Sequence, residues 1–137
     1  MRYIGVKIVD AEPMNIGDYN KFRGWTIPEN ENPITEGYLV KYKDGYVSWC
    51  PKKQFEEANR PINELTFGQA LEALKKGYRV ARSGWNGKGM YIQWNHARDF
   101  EHSELLPFFT IKNVMNSFNT WVPSISDILA EDWGVVD

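Results

Sequence analysis

Between Val80 and Tyr91 the chain reads Ala81-Arg82-Ser83-Gly84-Trp85-Asn86-Gly87-Lys88-Gly89-Met90, which places three glycines around an indole and a lysine. Neither a helix nor a long strand runs through such a stretch, because glycine gives up the most backbone freedom on ordering and marks sharp turns or close approaches. The fold must turn here. Asn86-Gly87 is the two-residue signal of a type I′ turn, whose central positions both need positive φ, so a hairpin is predicted between strands at 78–83 and 89–94. Such a tip would present Trp85 and Lys88 together, where an aromatic, anionic ligand can meet both.

The flanking sequence supplies the remaining elements. Thr66 is a good N-cap for a helix in which Phe67, Ala70, Leu71 and Leu74 recur at helical spacing, with Lys75 and Lys76 at its negative end and Gly77 just beyond. Strands are expected at 108–112, 118–122 and 132–136, with a short helix capped by Ser124 and a surface loop over 95–104. Upstream, a strand is expected at 3–9, a short helix capped by Asn15, a hairpin about Lys43-Asp44-Gly45 and a second short helix opened by Pro51. The predicted class is α+β: a small antiparallel sheet packed with one main helix, about 66–76, and short helices. Residues 1–61 form an N-terminal hairpin and short-helix extension, and residues 62–137 the core domain.

Charge narrows the partners. The chain of 137 residues has a net charge of −2, which gives no basic face for long nucleic acid. No apolar run reaches membrane-spanning length, and the single cysteine, Cys50, excludes an internal disulfide and suits a reducing compartment. Aromatic residues make up 15% of the chain and include six tryptophans, enough to line a ligand surface as well as fill a core.

No nucleophile elbow, zinc-protease, P-loop or dinucleotide motif is present. His96 and His102 are read as solvated loop residues, so no metal and no cofactor are expected, and no residue set supports catalysis. A binder needs less: an aromatic plate under a base, positive charge or N–H groups at phosphates, and short polar groups at ribose hydroxyls. Trp85 or Trp121, Lys88 with Arg82, and Asn86 with Asp127 supply these in turn, although each also has an ordinary structural use.

The run Phe67 to Gly77, then Val80-Ala81-Arg82 with Gly84-Trp85-Asn86-Gly87-Lys88-Gly89-Met90-Tyr91, then Leu106-Pro107-Phe108, and finally Trp121 with Ser124 and Asp127-Ile128-Leu129-Ala130-Glu131-Asp132-Trp133 resembles the phage Thoeris anti-defence proteins of the second type. The resemblance covers about residues 65–136. It implies a sponge that captures glycocyclic ADP-ribose, or cyclic dinucleotides of the CBASS system, without cleaving it, in the cytoplasm of an infected bacterium. It also implies a homo-oligomer, a tetramer in that family. Asn116 joins the candidate ligand residues through the turn 113–116, where the family often has Thr-Ala-Asp-Gly. A core of some seventy residues can scarcely hollow out the roughly 300 Å³ or more of a ligand site, so the pocket is expected between subunits. The readings set against this are a structural or adaptor domain, with residues 1–61 as its interaction module, and a nucleotide-cleaving enzyme.

Overall fold

The computed structural model describes residues 1–96 and 98–136, with backbone alone for 98–100. The chain divides into two compact units, Met1–Arg60 and Pro61–Asp137.

In the first unit, β1 (Asp10–Pro13), β2 (Gly37–Lys41) and β3 (Val47–Pro51) form an antiparallel sheet in that order. Gly45, at φ 87°, turns β2 into β3, and the Asp44 carboxylate accepts the Tyr46 N–H at 3.0 Å. Helix α1 (Ile16–Arg23) starts where Asn15 Oδ1 accepts the Asp18 N–H, and it stops at Gly24 in the left-handed region. Helix α2 (Lys52–Ala58) leaves β3 directly at Pro51. Tyr19, Leu39 and Val40 are the buried apolar residues of this unit.

The strand expected at 3–9 is not formed. Pairing begins at Asp10 opposite Lys41 and ends at Pro13 opposite Tyr38. All four β1 residues are exposed, so the strand exists through its backbone hydrogen bonds and leaves no alternating apolar pattern to read.

In the second unit, α3 (Phe67–Lys75) opens on a reciprocal cap: the Thr66 hydroxyl accepts the Gln69 N–H, and the Gln69 side chain accepts the Thr66 N–H. Its Ala70, Ala73 and Leu74 are buried. Gly77, at φ 94°, returns the chain into β4 (Arg79–Arg82), followed by β5 (Tyr91–Asn95). A two-stranded ribbon of β6 (Arg98–Phe100) and β7 (Ser103–Leu105) precedes β8 (Phe108–Lys112) and β9 (Phe118–Thr120). Helix α4 (Ile125–Leu129) and β10 (Trp133–Val136) complete the unit. The sheet is antiparallel in the order β10-β4-β5-β8-β9, and the class is α+β.

Alternation along these strands puts Val80, Ile92 and Trp133 on the face that meets Leu65, Ala70, Ala73 and Leu74 in one buried cluster. Burying each large side chain here contributes about 1.5–3 kcal/mol.

Two further expectations are corrected. Residues 95–104 are not simply loop, since β6 and β7 pair from Arg98 opposite Leu105 to Phe100 opposite Ser103. Their polar sequence offers no alternating apolar pattern to announce the pairing, and Glu101, at φ 57°, makes the tip. Nor is Asn86-Gly87 a two-residue hairpin turn. Strand β4 ends at Arg82 and β5 begins at Tyr91, and Gly89 alone in the connection has positive φ, at 73°. The turn is widened by side-chain bonds to distant carboxylates, which local sequence does not reveal.

Candidate functional site

Arg82 lies at the end of β4, opposite Trp133 in β10. From there its Nη1 donates to Asp127 Oδ1 at 3.0 Å and its Nε to Asp132 Oδ1 at 2.9 Å. Only 20% of the arginine side chain is exposed, with 12% and 30% for the two carboxylates, so these are shielded pairs rather than surface ones.

Each carboxylate also holds a piece of backbone. Asp132 Oδ2 accepts the Gly84 N–H at 2.7 Å and the Ser83 hydroxyl at 3.4 Å, which pins the first residues of the glycine-rich connection. Asp127 Oδ2 accepts the Ser124 N–H at 3.1 Å while its own N–H donates to Ser124 Oγ at 3.1 Å, a reciprocal cap on α4. Its remaining contact faces the indole: Trp85 Nε1 donates to Asp127 Oδ1 at 3.4 Å.

The aromatic part is built around Trp133, which is fully buried and donates its Nε1–H to the Asp127 backbone carbonyl at 2.9 Å. Trp85 meets it edge to face at 5.4 Å and Trp121 does so at 6.1 Å. Phe67 and Phe109 complete the packing against Trp121. Trp85 and Trp121 therefore reach the surface as half-buried plates backed by one buried indole.

Electrostatics follow from these bonds. Burial by itself would push the Asp127 carboxyl up, but the Ser124 N–H, Arg82, the Ser124 hydroxyl and Trp85 outweigh it and hold it below the ordinary carboxylate range. Asp132 behaves likewise: burial raises it, and Arg82 with the Gly84 N–H more than reverses that. The two carboxylates in turn raise the Arg82 guanidinium, chiefly through the hydrogen bonds it donates to Asp132 and then to Asp127. The cluster is ionised throughout, and its one cation faces two anions inside the fold.

The structure thus brings Arg82, Trp85, Trp121 and Asp127 into one network and leaves the other expected residues outside its bonds. Asn86 and Lys88 are exposed on the connection, and Asn116 is exposed at φ 61° in the turn between β8 and β9. Gly87 sets that turn beside the connection, since a Cβ there would run into the Met90 sulfur and a Val114 methyl. Lys112 Nζ, which donates to the Gly89 carbonyl at 3.1 Å, adds a second amine next to Lys88's segment. Sequence reasoning missed Asp132 and Lys112 as site residues. The only available signal was the Asp132-Trp133 pair itself, because a partner 50 residues from Arg82 leaves no local trace. Arg82 and Asp127 were expected at a ligand, and the structure shows both engaged with protein groups.

The chain matches the model of the Thoeris anti-defense 2-like domain over residues 65–136, more than half its length. The chain belongs to the Thoeris anti-defense 2-like family. It is also similar to a protein named Thoeris anti-defense 2 from Bacillus phage SP01, with 44% identity over 85 residues, covering 53% of this chain and 96% of that one. All seven candidate residues fall within the family domain. The first unit lies outside the span matched by the family model.

Proposed function

We propose that this protein is a phage anti-defence protein that captures a cyclic nucleotide immune signal and keeps it intact, so blocking Thoeris or CBASS immunity in the cytoplasm of the infected bacterium. The observation that carries the reading, together with family membership, is Trp85 braced between Asp127 and Trp133 beside the exposed Asn86 and Lys88. In this reading Trp85 stacks on a base, Lys88 and Lys112 meet phosphate oxygens, and Asn86 and Asn116 meet ribose hydroxyls. Arg82 and Asp127 act one layer behind, holding the indole and the connection in place.

A sponge must outcompete a receptor, which calls for nanomolar binding, about −12 kcal/mol. An open face on one subunit offers too few contacts for that, whereas a pocket closed by a second copy offers enough. Exposed apolar side chains support such an assembly: Val122 is 83% exposed, and Ile125 and Leu129, one turn apart on α4, are 78% and 73% exposed. A homo-tetramer is the state the family resemblance suggests.

The test is retention and release. The protein is incubated with glycocyclic ADP-ribose or a cyclic dinucleotide, freed of unbound ligand, heat-denatured, and the released nucleotide is analysed. Intact nucleotide supports capture, altered nucleotide favours a cleaving enzyme, and none favours an adaptor domain. Lys88→Ala, at an exposed position, is expected to weaken capture roughly tenfold, the worth of one charge-assisted hydrogen bond, with the unfolding temperature unchanged. Full-strength capture by both Lys88→Ala and Trp85→Ala would remove the site.

A further inference from the structure

The first unit carries a groove of about 490 Å³, within the roughly 300–1,000 Å³ typical of ligand sites. It is bounded by the junction of β1 and α1, the start of β2 and one face of α2. Its frame is fixed by backbone bonds: Met14 N–H to the Gly37 carbonyl at 2.9 Å, Ile16 N–H to Thr35 at 3.0 Å, and Lys52 N–H to Glu36 at 3.1 Å. Trp49 Nε1 donates to the Met14 carbonyl at 2.7 Å and anchors the β1 side. The groove is therefore formed before anything enters it.

Its chemistry is one-sided. Asp18, Glu36 and Glu56 supply three carboxylates against one cation, Lys52, which already pairs with Glu36 at 3.5 Å. The Asp18 carboxylate takes no ion pair or hydrogen bond among the described residues. Met14, Ile34 and Tyr38 line the same groove. The Tyr38 ring is stacked on Phe55 at 4.1 Å and held by its hydroxyl's bond to Glu56 at 3.0 Å. A smaller depression of about 100 Å³, lined by Asp10, Glu12, Leu39 and Lys41, belongs to the opposite face of the sheet, because Glu12 pairs with Leu39 while its neighbour Pro13 pairs with Tyr38.

We infer that this groove binds a basic peptide segment of another protein, seating an arginine side chain over Tyr38 with its guanidinium among Asp18, Glu36 and Glu56. Arginine is the side chain with a long apolar stem, a planar face that stacks on an aromatic ring, and a fork of donors for carboxylates. This inference is independent of nucleotide capture, which concerns the other unit.

The probe is the peptide acetyl-Leu-Arg-Val-Arg-Leu-amide, titrated into the full chain while amide and indole N–H resonances are followed by NMR. Saturable shifts at Gly37, Tyr38 and the Trp49 indole N–H are expected, weakening as salt rises. The same peptide with glutamate for arginine should give none. Glu56→Gln and Asp18→Asn together should weaken binding by roughly five- to twentyfold, as for two partly exposed charge contacts. Glu57→Gln, which changes the charge of α2 outside the groove, should leave binding as it was. Thermal unfolding of each variant separates lost binding from lost fold. Absent shifts, equal shifts with the glutamate peptide, or undiminished binding by the folded double variant would each overturn the inference.

Discussion

At the scale of single residues, Asp132 does more than its place near the end of the chain suggests. One carboxylate neutralises Arg82 and also fixes the backbone of Gly84. Asp127 and Asp132 are both held below the ordinary aspartate value. The unfolded chain therefore binds protons at these groups more readily than the folded one does. The stability they contribute is complete above about pH 4 and is lost as the pH falls through their still lower folded values. Acid titration followed by tryptophan fluorescence should accordingly show loss of structure beginning below about pH 4. Asp132→Asn should flatten that dependence and lower stability at neutral pH by about 1–3 kcal/mol, measured by denaturant unfolding. An unaltered acid profile in the variant would show that the pair is energetically idle.

Among the elements, α4 has only five residues, and its hold on the fold lies in its cap. Ser124 and Asp127 satisfy each other's backbone N–H groups, and Asp127 then reaches Arg82 and Trp85 with its other oxygen. Ser124→Ala should cost about 1 kcal/mol, as loss of an N-cap does. In a double-mutant cycle with Asp127→Ala the two effects should fall short of their sum, because either change breaks the same reciprocal cap. Strict additivity would mean that the cap is not the route of coupling. These elements also show what a sequence can and cannot disclose. Helix α3 was legible because its cap residues and its i, i+3, i+4 spacing are local, and Ser124 announced α4 in the same way. Strand β1 was not, since an all-exposed edge strand is defined only by its partner's backbone. The turn after β4 was misread for a similar reason: Asn86-Gly87 favours a tight hairpin, but carboxylates more than 40 residues away pull Arg82, Gly84 and Trp85 into a wider path. At the site, the indole and the lysine were visible as types in a turn. That Arg82 would be occupied by two carboxylates was not.

For the whole molecule, the division into Met1–Arg60 and Pro61–Asp137 gives each unit its own sheet and its own buried residues. A fragment beginning at Pro61 should fold without the first unit, keeping the near-ultraviolet signal of Trp85, Trp94, Trp121 and Trp133. Calorimetry of the full chain should then show a transition that coincides with the fragment's own, since units with separate cores need not melt as one. A fragment without fixed tertiary signal would show that the second unit depends on the first.

Trp133 is sealed from water and crossed nearly at right angles by Trp85 and Trp121, at 79° and 78°. Indoles that close and that crossed exchange excitation, so the trio absorbs circularly polarised light as a coupled chromophore rather than as three separate dyes. Anything that stacks on either outer ring perturbs all three, and the protein can thereby report its own occupancy optically, without a label.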